Sequence, residues 1–104
     1  MGITTQAILC LAMNVYHEAR SEDIWGQLAV AEVTLNRVAA KQFPNEVCDV
    51  VWQRRQFSWT HDGKSDKPRD QEAWVTAHNI ATLAIRQGKP RAVGEDVLFY
   101  HAEY

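Results

Sequence analysis

The sequence predicts a single mainly helical α+β domain, several amphipathic helices with a small sheet. Apolar residues recur at steps of three and four through most of the chain, the mark of helices sharing one core. Two stretches, "RRQFSW" and "VLFYHAEY", lose that period and turn aromatic, which suits extended chain. With 104 residues, 46% of them hydrophobic and 23% charged, the chain has the size and balance of one globular domain with a modest core.

Thr4 or Thr5 caps a first helix running to about Arg20, with Ile8, Leu11 and Val15 on one stripe. Ser21 to Ile24 form a short break. A second helix spans Trp25 to Ala40 and turns Ala29, Val30, Val33 and Asn36 to one side. "FPNEV" reads as a turn, after which Asn45 caps a short helix, "EVCDVVWQ", whose Val47, Val50 and Val51 share a face. The extended "RRQFSW" follows, then a polar loop, "THDGKSDKPRD", marked by Asp62-Gly63 and Pro68. A long helix runs from Arg69 to about Gln87, with Trp74, Ala77, Ala81, Ala84 and Ile85 inward and Gly88 as its stop. Trp25 and Trp52 are read as further core residues. The final "RAVGEDVLFYHAEY" reads as a strand with no closing turn after Tyr104, either a natural C-terminus or the cut end of a longer protein. No repeat or low-complexity linker divides residues 1–104. A monomer is expected, with dimerisation through the unpaired terminal strand as the alternative.

Several function classes fall away on composition and spacing. A formal charge of −2 leaves no basic footprint for nucleic acid. No apolar run approaches the ~18 residues of a membrane span, and the N-terminal stretch lacks the basic region of a signal peptide. Cys10 and Cys48 lie among apolar residues and far from cations, which suits reduced core thiols better than nucleophiles. A single bridge between them is the alternative if the domain works outside the cytoplasm. "HEAR" begins like a helical zinc motif, but Ser21 stands where the second histidine belongs. No metal or other cofactor is expected, and "DGKSD" has too few glycines for a phosphate cradle.

The stripe Ile8, Leu11, Val15 reaches position 18 next, and that position holds a glutamate. The plain reading is an exposed helix-end residue beside Arg20. On an apolar stripe, however, Glu18 is partly desolvated, and desolvation raises a carboxyl pKa. A glutamate tuned upward serves as a general acid near neutral pH, as glycosidic cleavage requires. "RRQFSWTH" has a similar pair of readings. Phe57 and Trp59 alternate with Ser58 either because one strand face is buried or because the segment walls a sugar cleft. In the second case Gln56 and Ser58 supply hydrogen bonds and a ring supplies stacking. Asn36 ends an inward stripe with an amide that needs partners. It is read as support, tying the second helix to the end of the first and so holding Glu18.

Taken together, "CLAMNVYHEARSEDIWGQLAVAEVTLNRV" and "FPNEVCDVVWQRRQFSW" resemble the cell wall hydrolase family of spore-cortex lytic enzymes, the SleB/CwlJ-type peptidoglycan hydrolases. The order and spacing of "YHEAR" with Glu22, "GQLAVAEVTLNRV", "FPNEVCDVV", "QFSW" and the terminal "FYHA" cover nearly the whole chain. The resemblance implies a compact lysozyme-like fold acting on peptidoglycan glycan strands in the cell envelope or spore cortex. It places the acid/base on Glu18, with Glu22 and Asn36 supporting it. Gln56, Phe57, Ser58, Trp59, Tyr100 and His101 become the substrate-binding candidates. It also implies a lytic transglycosylase, with a muramidase-type hydrolase or a module that only binds glycan as alternatives. The family usually has glycine at the position of Ser21, and familiar members continue past "FYHA".

Overall fold

The computed structural model describes residues 5–53, 67–89, 92–94, 97 and 98. Its regular structure is four helices: α1 (Thr5–Ala19), α2 (Ile24–Ala39), α3 (Val47–Val51) and α4 (Gln71–Arg86). On α1 the buried apolar positions come in pairs every four residues, Ala7 and Ile8, Leu11 and Ala12, Val15 and Tyr16, then Ala19. That spacing turns one broad face inward. Ala77, Ile80, Ala81, Ala84 and Ile85 form the matching face of α4. Alanines on both faces let the backbones approach closely, and α1 makes its most extensive contact with α4. As α1 also touches α2 and α3, it is the hub of the core.

Local chemistry fixes the helix ends. Asp23 caps α2 by accepting the Gly26 N–H at 3.0 Å, and Asp70 caps α4 by accepting the Ala73 N–H at 3.1 Å. Gly88, just past the C-cap Gln87, adopts φ +117°, the left-handed conformation that stops a helix cheaply at glycine. Glu46 rather than Asn45 occupies the N-cap of α3 and makes no side-chain capping bond there.

The structure corrects three expectations. First, the described residues contain no strand, so the small sheet is not supported. Val97 and Leu98, placed in the terminal strand by composition, give their carbonyls to the side chains of Asn36 and Arg37 instead of to a neighbouring strand. The "QFSW" segment lies outside the described residues. Second, Cys10 and Cys48 are joined in a disulfide, with Cα atoms 5.2 Å apart. Apolar surroundings alone did not show that α1 and α3 bring the two thiols together. Third, Trp25 is 67% exposed and Trp52 44% exposed, because they sit at the first turn of α2 and the C-cap of α3. Trp74 does pack against the core, edge-on to Tyr16 with ring centroids 6.2 Å apart. No helix among the described residues is long and apolar enough to cross a membrane.

Two ties outside the apolar core hold α1 in place. The disulfide fastens its first half to α3. At its other half, the buried phenol oxygen of Tyr16 accepts the backbone N–H groups of Arg69 and Asp70, each at 3.0 Å, and the Arg20 guanidinium at 2.9 Å. Burial alone would push this phenol up. The N–H groups and Arg20 outweigh it and leave it below its ordinary 10.0.

Both ties have measurable consequences. The disulfide closes a sequence separation of 38 residues, so Cys10→Ala/Cys48→Ala should lose roughly 2–4 kcal/mol in urea unfolding. Tyr16→Phe removes one acceptor from three donors and should cost about 1–3 kcal/mol in the same measurement, with the start of α4 showing the greatest gain in amide exchange.

Candidate active site

Glu18 sits on the last turn of α1, one turn beyond the buried Val15, and is itself only partly buried. Burial pushes its carboxyl above the ordinary 4.5, and the guanidinium of Arg37 offsets part of that rise. Arg37 acts on Glu18 from α2, the helix that a buried polar bond ties to α1. Asn14 donates to the Thr34 hydroxyl at 3.0 Å in the interior, and Thr34 in turn donates to the Val30 carbonyl at 2.8 Å. One turn further along each helix lie Glu18 and Arg37.

Arg37 belongs to an unusual stretch. Every residue from Ala29 to Arg37 is buried, including Glu32, Thr34, Asn36 and Arg37. A helix buried all round must satisfy its polar side chains inside the protein. Glu32 accepts the N–H of Val93 on one carboxylate oxygen and that of Gly94 on the other, both at 2.8 Å. Asn36 donates to the carbonyls of Gly94 and Val97 at 2.8 Å and accepts from the Lys89 ammonium at 2.6 Å. Arg37 donates through Nε to the carbonyl of Leu98, and its guanidinium lies over the Phe43 ring at 5.2 Å. Burial lowers the pKa of Arg37 and Glu18 holds it up, though an arginine stays protonated throughout the working range. The arrangement offers one partly desolvated carboxyl within the electrostatic reach of a buried cation, a group suited to giving and retrieving a proton.

Similarity to known proteins gives this carboxyl a context. The profile of the cell wall hydrolase family matches residues 21–104. The chain belongs to the cell wall hydrolase family. The spore cortex-lytic enzyme of Bacillus subtilis (strain 168) is 41% identical over 99 residues, which is 95% of this chain and 30% of that enzyme. The spore cortex-lytic enzyme of Bacillus cereus is 43% identical over 63 residues, covering 61% of this chain and 24% of its own length. That of Halalkalibacterium halodurans is 38% identical over 72 residues, covering 69% of this chain and 22% of its own length. The chain therefore spans less than a third of each of these relatives. No solved structure matches it. The profile match begins at Ser21, just beyond Glu18, so membership rests on the remainder of the chain.

Of the residues expected at the site, the structure describes three. Glu18 stands where α1 meets α2. Glu22 contributes through its backbone, donating N–H to the Ala19 carbonyl at 3.0 Å and accepting from the Gln27 amide at 3.3 Å. Asn36 binds Lys89, Gly94 and Val97 rather than the end of α1. Gln56, Phe57, Ser58, Trp59, Tyr100 and His101 lie outside the described residues. Among the described residues no three histidine, cysteine or acidic side chains gather to hold a metal. A cavity of about 450 Å³ lies between the ends of α2 and α4, walled by Leu35, Val38, Ala84 and Ile85, and Glu18 does not line it.

Glu32 and Arg37 were missed because a charged residue in a helix is by default assigned to solvent. The usable signal is the density of "AVAEVTLNRV", apolar or small on every side of the helix, which leaves its charges no route to water.

The raised carboxyl of Glu18 has a defined thermodynamic sign. Folded protein holds this proton more tightly than unfolded chain, so the associated stability is complete below about 4.5 and is lost as pH rises through the folded-state value. In urea unfolding from about pH 4 to about pH 8, wild type should lose stability relative to Glu18→Gln as pH rises.

Proposed function

We propose that this chain cleaves the glycan strands of peptidoglycan, between N-acetylmuramic acid and N-acetylglucosamine, as a lytic transglycosylase. The observation that carries the reading is Glu18, a carboxyl raised by burial at the junction of two core helices in a cell wall hydrolase domain. The names of the relatives, spore cortex-lytic enzymes, point to the same polymer.

In the first step Glu18 protonates the glycosidic oxygen as the bond to muramic C1 breaks, leaving oxocarbenium character at C1. The resulting carboxylate then takes the proton of the muramic C6 hydroxyl while O6 closes onto C1. No water is consumed, the products are a 1,6-anhydro end and a free 4-hydroxyl, and Glu18 returns protonated. One group thus acts in two states, and its pKa must permit both. Burial favours the acid form for the first step, and the cation of Arg37 keeps the carboxylate accessible for the second. A hydrolase would require a further carboxylate to activate water or form a covalent intermediate. Glu22 is one turn away and Asp62 and Asp66 lie outside the described residues, and the one-carboxylate route is taken from the family resemblance.

Substrate-wall roles go to Gln56, Phe57, Ser58, Trp59, Tyr100 and His101 on the family resemblance. The setting is the spore cortex or cell envelope, and the Cys10–Cys48 bridge suits an oxidising compartment of that kind. One copy of the chain suffices for the reaction, and it requires no metal or other cofactor.

Mass spectrometry of muropeptides released from purified peptidoglycan tests the mechanism. Wild type should release anhydro-muramic ends, and Glu18→Gln, similar in shape but unable to give the proton, should fall by roughly 10²-fold or more. Reducing ends would replace the transglycosylase with a hydrolase. No fragments from wild type would reduce the domain to glycan binding.

A further inference from the structure

Three donors converge on the phenol oxygen of Tyr16. It accepts the backbone N–H groups of Arg69 and Asp70, each at 3.0 Å, and the Arg20 guanidinium at 2.9 Å. None of the three can take a proton in return, since a peptide N–H and a guanidinium only donate. Tyr16 itself is 2% exposed. Among the described residues no acceptor is paired with its own hydroxyl proton. A neutral phenol both gives and accepts a hydrogen bond, whereas this oxygen only accepts. Receiving from all sides is what a phenolate requires.

The charges around the ring favour the same form. On α1, Arg20 bonds the oxygen and also lies over the ring, 5.3 Å from its centroid, while His17 meets the ring edge-on with centroids 5.0 Å apart. From the chain entering α4, Arg69 and Asp70 present their backbone N–H groups, and the Asp70 carboxylate is turned to the Ala73 N–H. On α4 itself Trp74 lies against the ring, with His78 beyond Trp74 at 5.9 Å. Neither α2 nor α3 adds a charge that acts on the phenol; Arg20 is the charge that does. Together these donors hold the phenol below its ordinary 10.0 in spite of burial.

We propose that the junction of α1 with the start of α4 is a pH-sensitive latch, in which Tyr16 gives its proton to solvent while the chain stays folded and the tyrosinate closes on Arg20 and on the Arg69 and Asp70 N–H groups. A hydrogen bond to a charged acceptor is roughly twice as strong as a neutral one, so the bonds that start α4 tighten as the proton leaves. The sign follows from linkage. A phenol that ionises more readily in the folded chain adds stability that is complete above the unfolded 10.0 and is lost as pH falls through the folded-state midpoint. The latch acts on the path of the chain into α4 and holds whether or not Glu18 cleaves glycan.

Carbon NMR of the full chain labelled at tyrosine Cζ reads the titration, with Tyr16 assigned by Tyr16→Phe. Its midpoint should lie below 10.0. Arg20→Gln, a change at an exposed residue, removes the charge and should move the midpoint to higher pH, and Arg20→Lys should return it toward wild type. Urea unfolding across the same range supplies the second readout. The unfolding constants of wild type and Tyr16→Phe should diverge as pH rises, by about tenfold for each pH unit that separates the midpoint from 10.0. Should Tyr16→Phe fold poorly, Tyr100→Phe/Tyr104→Phe leaves Tyr16 as the one tyrosine and supplies the assignment, and Arg20→Gln serves as the stability reference. A Tyr16 midpoint at or above 10.0 would overturn the proposal. So would an Arg20→Gln midpoint equal to that of wild type, or a stability difference that stays flat through the titration.

Discussion

The buried polar flank of α2 is the constraint on which the rest of the arrangement depends. A helix with Glu32, Asn36 and Arg37 in its interior cannot stand unless something brings them backbone partners, because each uncompensated group would cost several kcal/mol. Lys89, Val93, Gly94, Val97 and Leu98 bring those partners, and are anchored by them in return. Helix and segment are therefore conditional on each other. Loss of either leaves the other with polar groups in a dry environment.

The position of Glu18 follows from the same logic at one remove. Its helix is fastened at one half by the Cys10–Cys48 bridge and at the other by Tyr16, which receives the start of α4 on a phenol oxygen. The Asn14–Thr34 bond then sets where α1 meets α2. With both helices immobilised, the balance between burial and the field of Arg37 is a fixed property of the fold instead of an average over loose conformers. For the proposed reaction, such preorganisation would spare the carboxyl any reorganisation as its proton moves.

Much of this was legible in the residues themselves. The helices announced themselves because period and punctuation agree: the Ile8, Leu11, Val15 stripe, and Gly88 after α4. Glu18 was visible as a break in an apolar stripe. What was hidden depended on contacts distant in sequence. Nothing local says that Cys10 lies over Cys48, that Arg37 reaches the carbonyl of a residue 61 positions away, or that Val97 and Leu98 forgo a strand because side chains satisfy their carbonyls first. Trp25 and Trp52 misled for the opposite reason: bulk and apolarity favour the interior, but a helix terminus gave them nowhere to enter it.

Because Glu32, Asn36 and Arg37 grip peptide N–H and C=O groups, the clamp is largely indifferent to which side chains the gripped segment carries. Val93, Val97 and Leu98 supply bonds that almost any residue other than proline at position 93 could supply in the same conformation. Anchorage and surface chemistry are thereby separated. Side-chain changes at Val93, Val97 and Leu98 therefore leave the gripped peptide groups available, and Gly94, held at positive φ, is the position least free to change.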